Sequence, residues 1–246
     1  FECDSEFVIH QEFLNSVKNC KDKKFVIIDV RGNRGGTDEF LYNFYLSLFY
    51  GENLKNVDYH PAQYKQIYSP AIIDSIYSEL NKAVVNTNSS RWDKKRIIKM
   101  KNEMKRHPKK VIISHGDNLT PEIKPIEKQS FAGKIIVITD SYTLSSGEEF
   151  IVVGKFLGNN NFIHIGQNTG GAQLYGNIHN YFLSNSGIEV ILGTTDFSCQ
   201  AKGVSSFKGE GYGYFPDYWS TNEDLNETIF TITKDEEMLS LLKEVL

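Results

Sequence analysis

Two short loops combine residue types that can do chemistry. The first, at residues 29–36, reads Asp-Val-Arg-Gly-Asn-Arg-Gly-Gly and follows the apolar run Lys24–Val30. Glycines let backbone N–H groups turn outward and approach a ligand closely. A nest of such donors can bind a phosphate or an oxyanion. Taken alone, this loop is equally consistent with a tight turn between a strand and a helix.

The second loop, at residues 140–150, reads Asp-Ser-Tyr-Thr-Leu-Ser-Ser-Gly-Glu-Glu-Phe. Ser145 falls where a buried strand is predicted to end and a helix to begin, a placement that exposes the nucleophile in α/β hydrolases. The same spacing also spells a helix capping box, either Ser145 with Glu148 or Ser146 with Glu149. The loop alone leaves both interpretations open.

The elements that must position these loops are predicted from hydrophobic runs. Runs rich in β-branched residues predict buried strands at Lys24–Val30, Ile135–Thr139 and Phe162–Gly166. Helices are predicted at residues 37–49 and 147–157. Strands that alternate with helices predict an α/β core with parallel strands. In such folds, functional groups lie in loops at the carboxyl ends of the strands.

The other segments predict a strand running into a helix at residues 6–20 and an inserted subdomain at about residues 50–128. The insertion is polar and Lys- and Tyr-rich, with a predicted helix at about 71–106 that Pro108 ends. Residues 234–246 predict an amphipathic closing helix. Before this closing helix, β-strands are expected at Ile178–Leu183, Gly187–Leu192 and near Asp196–Cys199.

Composition narrows the class of protein. The 246 residues are 40% hydrophobic and 24% charged, with a net charge of -4. These values are typical of a globular protein, and they provide no basic excess for a nucleic-acid partner. No apolar run approaches the roughly 20 residues that span a membrane. Cys3, Cys20 and Cys199 show no metal-ligand spacing, and we expect neither a metal nor a cofactor.

Together, the two loops resemble the paired signatures of the C-terminal processing (tail-specific) protease family. That family also includes tricorn-type proteases and the interphotoreceptor retinoid-binding protein. Residues 27–36 resemble its strand and glycine loop, I-L-D-L-R-G-N-G-G-G, and residues 133–150 resemble its nucleophile segment, S-A-S-A-S-E-I-F. Three later segments follow in the family's order, at residues 165–171, 183–190 and 210–217. They resemble its V-G-E-x-T-x-G loop, its L-P-N-G-x-x-V hairpin and its closing E-x-x-G-x-x-P-D.

The resemblance runs from about residue 7 to the C-terminus, with the insertion matching only in kind. It implies a ClpP/crotonase-like ββα core with a helical insertion and a C-terminal β-rich segment. Residues 1–246 would form the peptidase core, without the upstream PDZ-like or helical part of many members. The implied activity is that of a serine endopeptidase that forms an acyl-enzyme on Ser145. The implied oxyanion donors are the backbone N–H groups of Ser146 and of Gly35 or Gly36.

The general base is the open part of this assignment. Bacterial members often use a Lys about 25 residues after the serine, where this chain has Gly170, Gly171 and Ala172. Lys155 is expected to point to solvent. The tricorn-type branch uses Ser, His and Glu, and its Glu corresponds to Glu210. We expect the His upstream of Phe1. The histidines within the chain are His10, His60, His107, His115, His164 and His179, of which His164 is predicted to pack in the core.

The implied partner is a peptide or unfolded protein substrate, bound as an added strand, outside the cytoplasm. A His between Ser145 and Glu210 would separate the Ser145 hydroxyl from the Glu210 carboxylate by roughly 6–9 Å. A non-catalytic binding module with the same fold is the alternative, because the retinoid-binding relatives do no proteolysis. A crotonase-like acyl-CoA enzyme is a third, disfavoured by the S-x-x-E helix start and the P-D motif. The oligomeric state is left open.

Overall fold

The structure is a computed structural model. It describes residues 19–20, 22–36, 64–67, 102, 106, 111–114, 131–198 and 206–245. The predicted helix at 37–49 and nearly all of the predicted segments at 6–20 and 71–106 lie outside these residues. The described elements are β1 (Phe25–Asp29), β2 (Tyr64–Ile67), β3 (Val111–Ser114), β4 (Lys134–Thr139), α1 (Ser146–Gly158), a 3-10 turn (Asn159–Asn161), β5 (Phe162–Gly166), β6 (Tyr175–Phe182), β7 (Glu189–Asp196), β8 (Tyr218–Trp219), α2 (Leu225–Thr233) and α3 (Glu236–Val245).

The chain divides into two compact units. Unit 1 comprises Phe1–His60, Asn118–Gln173 and Gly203–Leu246, and unit 2 comprises Pro61–Asp117 and Leu174–Lys202. Both predicted loops belong to unit 1.

Unit 1 contains a parallel sheet with the strand order β1-β4-β5-β8. The three strands predicted from their apolar runs therefore share one sheet, as expected, and the α/β class is confirmed. β4 lies between β1 and β5, with Ile27 opposite Ile136 and Ile138 opposite Ile165. Since all the strands run the same way, their carboxyl ends and the loops that follow them meet at one edge.

Helices cover both faces of this sheet, so β4 is buried throughout Ile135–Ile138. On one face, residues of β4 and β5 form a cluster with Leu225 and Ile229 of α2 and Leu242 of α3. On the other face, Phe162 packs against Phe150 of α1, with ring centroids 6.4 Å apart. A strand buried on both faces reads as a continuous apolar run, which explains why the sequence predicted it well.

Unit 2 contains an antiparallel sheet with the strand order β3-β2-β7-β6. The described strands of the insertion, β2 and β3, thus join the β6–β7 hairpin. The separate strand expected near Asp196–Cys199 was wrong, because β7 itself continues to Asp196. Gly193 pairs with Ile178 within the ladder, so the strand continues past Leu192 without a break.

The C-terminal segment contains more helix than the sequence predicted. The closing helix was expected at 234–246 and is observed as α3, with Asp235 Oδ1 accepting the Met238 N–H at 3.0 Å. α2 was missed, as was the short strand β8. The Thr- and Ile-rich sequence of α2 has β propensity, but Leu225 and Ile229, four residues apart, are buried together on the sheet. Tertiary packing here overrides a weak local preference.

No helix within the described ranges is long and apolar enough to cross a membrane.

The Gly154→Ala variant should be destabilised because a methyl group at Gly154 would overlap the buried Phe162 ring. We expect a loss of about 1–3 kcal/mol in the free energy of unfolding, measured by urea denaturation. The same change in an open helix would instead stabilise it by about 0.5–1 kcal/mol. The double variant Gly154→Ala/Phe162→Leu is the control, and it should lose less than the two single losses added together. A more stable Gly154→Ala protein would contradict the packing.

Candidate active site

Ser145 lies in the turn between β4 and α1, directly before the first helical residue, Ser146. It is exposed, and its backbone has a φ of 54°. Left-handed backbone at a non-glycine residue is sparsely populated and costs about 1–3 kcal/mol, so the surrounding structure must hold it. A sharp strand-to-helix turn of this kind lifts a serine hydroxyl off the sheet and exposes it.

The Ser145 hydroxyl does not cap the helix. In a capping box the serine oxygen would accept the Glu148 N–H, but that N–H donates instead to the Ser145 carbonyl at 2.8 Å. The second hydrogen bond of a capping box is present, because Glu148 Oε2 accepts the Ser145 N–H at 3.1 Å. Ser146 is not a side-chain cap either, because the Glu149 N–H donates to the Ser145 carbonyl at 3.0 Å. The Ser146 hydroxyl itself donates to the Gly36 carbonyl at 3.0 Å. Among the described residues, nothing engages the Ser145 hydroxyl.

The glycine loop lies directly against Ser145. A Cβ placed on Gly35, which has a φ of 95°, would come within 2.6 Å of Ser145 Cβ and 3.1 Å of Ser145 Oγ. Only glycine fits this approach. The Gly35 N–H donates to Asn33 Oδ1 at 2.9 Å, whereas the N–H groups of Gly36 and Ser146 meet no acceptor within the described part of the chain. Of the three N–H groups expected to face an oxyanion, only that of Gly35 therefore has an acceptor among the described residues.

Hydrogen bonds join this loop to the turn that carries Ser145. The Leu144 N–H donates to the Asn33 carbonyl at 2.8 Å, and the Thr143 hydroxyl donates to the Val30 carbonyl at 3.0 Å. Asp140 Oδ1 accepts the Gly32 N–H at 3.0 Å. The two loops predicted from the sequence thus form one hydrogen-bonded unit at the carboxyl ends of β1 and β4.

A third loop, at residues 167–173, joins them through the carboxylate of Glu148. Glu148 is fully buried. Its Oε1 accepts the Thr169 hydroxyl at 2.6 Å and the Gly171 N–H at 2.9 Å, and its Oε2 accepts the Ala172 N–H at 2.7 Å. Burial raises the pKa of this carboxyl above its usual value, and the hydrogen bonds to it oppose that rise. The sequence marked Glu148 only as a motif residue and a capping partner.

Glu210 lies exposed in the turn at residues 209–213, and this turn is attached to the third loop. The Gly211 N–H donates to the Gly171 carbonyl at 2.7 Å, and the Tyr214 N–H donates to the Thr169 hydroxyl oxygen at 2.7 Å. The loops that carry Ser145 and Glu210 are therefore connected through residues 169–171. The expected spacing of their side chains remains a prediction.

His164 is a core residue, and the local hydrogen bonds assign its tautomer. Its Nε2 lies 2.7 Å from Thr139 Oγ1, whose own proton goes to the Gln167 carbonyl at 2.6 Å. Nε2 must therefore carry the hydrogen, which leaves Nδ1 buried and without a partner among the described residues. Burial, helped by the charge of Lys155, lowers the pKa of His164 to about 3. His179 lies in β6 of unit 2, and His10, His60, His107 and His115 lie outside the described residues.

The expectation that Lys155 points to solvent was wrong. Its ammonium pairs with Asp217 Oδ1 at 2.7 Å, and the side chain is only 21% exposed. Asp217 belongs to the P-D motif, and its Oδ2 also accepts the His164 N–H at 2.9 Å. The pair joins α1 to β5, so Lys155 has a structural role away from the Ser145 hydroxyl.

No group of three or more His, Cys, Asp or Glu side chains in the described ranges could hold a metal ion.

The pKa of His164 predicts a pH dependence of stability. Its folded-state pKa is lowered from 6.5 to about 3, so below about pH 6 the unfolded state binds a proton that the folded state does not. We expect wild-type protein to lose about 1 kcal/mol more unfolding free energy than His164→Gln between about pH 6 and pH 5. Urea denaturation at both pH values measures this difference. Equal losses, or an NMR titration of His164 near its ordinary pKa, would contradict it.

Comparison with known proteins places these loops in a family. The sequence profile of Peptidase family S41 matches residues 7–205. No curated protein sequence is significantly similar to the chain. Among solved structures, mature CPAF complexed with lactacystin is similar, with 16% sequence identity and a TM-score of 0.52 over 95% of this chain and 47% of that one.

Two further structures share the likeness at lower scores. A lipoprotein from Streptococcus agalactiae has 17% identity and a TM-score of 0.45 over 92% of this chain and 61% of its own. The photosystem II D1 C-terminal processing protease has 15% identity and a TM-score of 0.40 over 94% of this chain and 41% of its own. The chain thus spans between about two fifths and three fifths of the length of these structures.

The matched region contains the glycine loop, the Ser145 turn and the third loop, which the structure has brought together. The family resemblance of the sequence is thereby confirmed. The profile covers well over half of the chain, and the chain belongs to Peptidase family S41.

Proposed function

We propose that the protein is a serine-type endopeptidase with Ser145 as its nucleophile, on a ClpP/crotonase-like ββα core. The observation that supports this most directly is the state of Ser145. It is exposed, held at positive φ, and its hydroxyl takes no part in capping the helix that it precedes. A purely structural serine at this position would be expected to use that hydroxyl as a cap.

In the proposed reaction, the Ser145 oxygen attacks the carbonyl carbon of the scissile peptide bond while a base takes the hydroxyl proton. The carbonyl oxygen becomes an oxyanion, which the Gly36 and Ser146 N–H groups stabilise. These donors belong to a rigid backbone, so they need little reorganisation when the charge develops. Collapse of the intermediate expels the amine, which receives the proton, and leaves an acyl-enzyme on Ser145. Water then hydrolyses the acyl-enzyme by the same steps.

The base in this proposal is a histidine held in one tautomer by Glu210. Gly170, Gly171 and Ala172 stand where a catalytic lysine would be expected, and these residues instead bind the nucleophile turn through their backbone. Lys155 and His164 are engaged elsewhere. We propose that the histidine lies outside the described residues.

The proposed substrate is a peptide or an unfolded protein tail that binds as an added strand, so that its backbone presents a carbonyl to Ser145. The activity is proposed to lie outside the cytoplasm, as the resemblance implies. The alternative, a binding module without catalysis, would need no reactive hydroxyl at Ser145. A chemical probe of that hydroxyl therefore separates the two functions.

A fluorophosphonate probe should label the complete wild-type protein at Ser145, and Ser145→Ala in the complete protein should abolish the labelling. Because the hydroxyl makes no capping bond, this variant should keep its unfolding free energy within about 0.5 kcal/mol. A lost cap would instead cost about 1 kcal/mol. Mass spectrometry of the labelled peptide and urea denaturation provide the two measurements. Labelling that survives in Ser145→Ala would remove Ser145 from the nucleophile position, and an unlabelled wild type would favour the binding module.

Glu210→Gln should slow peptide hydrolysis by up to about 10⁴-fold, because an amide would no longer hold the histidine in the reactive tautomer. The measurement is kcat on an unstructured peptide at neutral pH. Glu223→Gln is the matched control, since Glu223 is also an exposed carboxylate in unit 1, and its kcat should be unchanged. If both variants hydrolyse at the wild-type rate, Glu210 is an ordinary loop carboxylate.

A further inference from the structure

The Glu148 carboxylate accepts four hydrogen bonds and donates none. Oε1 receives the Thr169 hydroxyl and the Gly171 N–H, and Oε2 receives the N–H groups of Ser145 and Ala172. We infer that Glu148 is a positioning residue for the proposed peptidase reaction, holding the Ser145 backbone and the third loop in one reactive arrangement. This inference rests on the proposed function, because it assigns a role within that site.

The arrangement needs an ionised carboxylate rather than any polar group of the same size. Each oxygen of Glu148 faces two donors, and an ionised carboxylate can accept them all. A glutamine has a single acceptor oxygen, so its NH₂ group would face the N–H groups of Ser145 and Ala172 in one orientation, and the Gly171 N–H and the Thr169 hydroxyl in the other. Only the hydroxyl can turn and accept, so Glu148→Gln keeps the volume of the side chain but leaves at least one N–H without an acceptor.

The consequence for Ser145 follows from its backbone conformation. A φ of 54° is unfavourable for serine and is maintained by contacts. When the NH₂ group of the glutamine in Glu148→Gln faces the Ser145 N–H, this N–H has no acceptor, and Ser145 would relax toward the usual N-cap conformation, in which its hydroxyl accepts the N–H of residue 148. The hydroxyl would then be drawn into the helix terminus. The hydrogen bond between the Ser145 N–H and Glu148 thus keeps the Ser145 hydroxyl exposed instead of capping the helix.

The same carboxylate also supports the loop that carries Glu210. Thr169 and Gly171, which bind Glu148, in turn bind Tyr214, directly after the turn at residues 209–213, and Gly211 within it. A shift of residues 169–171 would therefore move Glu210 relative to Ser145. Misplacement of reacting groups by about 1 Å can cost on the order of 100-fold in rate.

The test compares Glu148→Gln with wild-type protein and with Asp217→Asn. Asp217 is a matched control because it too accepts a backbone N–H and joins two elements of unit 1, but it has no bond to the Ser145 turn. The first measurement is the second-order rate constant of fluorophosphonate labelling at Ser145, at a temperature where all three proteins are folded by circular dichroism. The second is amide hydrogen exchange of the Ser145, Gly171 and Ala172 N–H groups.

We expect Glu148→Gln to label roughly 10- to 100-fold more slowly. Exchange should be faster at the amides that face the new NH₂ group, which are Ser145 and Ala172 in one orientation and Gly171 in the other. Asp217→Asn should melt at a lower temperature and yet label at the wild-type rate. Faster exchange with an unchanged labelling rate would overturn the positioning role and leave Glu148 as a structural residue. Unchanged exchange would overturn the proposed hydrogen-bond arrangement itself.

Failure of the peptidase proposal would look different. In that case the wild-type protein would not label at all, and Ser145 would have no reactive hydroxyl to position. Hydrogen exchange would then decide the structural part of the inference alone. Faster exchange in Glu148→Gln would support the role of the carboxylate in holding the turn, and unchanged exchange would overturn it.

Discussion

A serine keeps a positive φ only if contacts with its neighbours stabilise this strained backbone conformation. Most of the described contacts around Ser145 do so. Ser145 is held by its N–H bond to Glu148 and by two helical N–H groups that donate to its carbonyl. On its other side, Gly35 lies so close that a side chain would not fit between them. The strain of about 1–3 kcal/mol is offset by these contacts, and the hydroxyl is left exposed.

The parallel sheet brings the loops that contact Ser145 together at one edge. β4 is buried, with α2 and α3 packed on one face of the sheet and α1 packed on the other face through Phe150 and Phe162. Its neighbours β1 and β5 end at the same edge, and the loops after them bind the Ser145 turn directly. The candidate oxyanion donors are backbone groups of these loops, so their positions depend on the sheet rather than on side-chain rotamers.

The sequence predicted those parts that depend on local pattern and left open those that depend on contacts. Buried strands such as Phe162–Gly166 were placed correctly because burial on both faces produces a continuous apolar run. Whether Ser145 was a nucleophile or a cap could not be decided, because both roles use the same spacing to Glu148. The missed helix α2 and the ion pair of Lys155 share this cause, since each depends on a partner distant in the chain.

The hydrogen bonds of Glu148 explain how the Ser145–Glu148 spacing can belong both to a helix capping box and to the proposed nucleophile segment. A capping box satisfies a helix N-terminus through two reciprocal bonds. Here the carboxylate half is kept, and the hydroxyl half is replaced by bonds to the Ser145 carbonyl. The helix terminus remains satisfied without the serine oxygen. The other lone pairs of Glu148 accept hydrogen bonds from Thr169, Gly171 and Ala172. A residue of the helix N-terminus therefore also connects the Ser145 turn to the loop that carries Glu210.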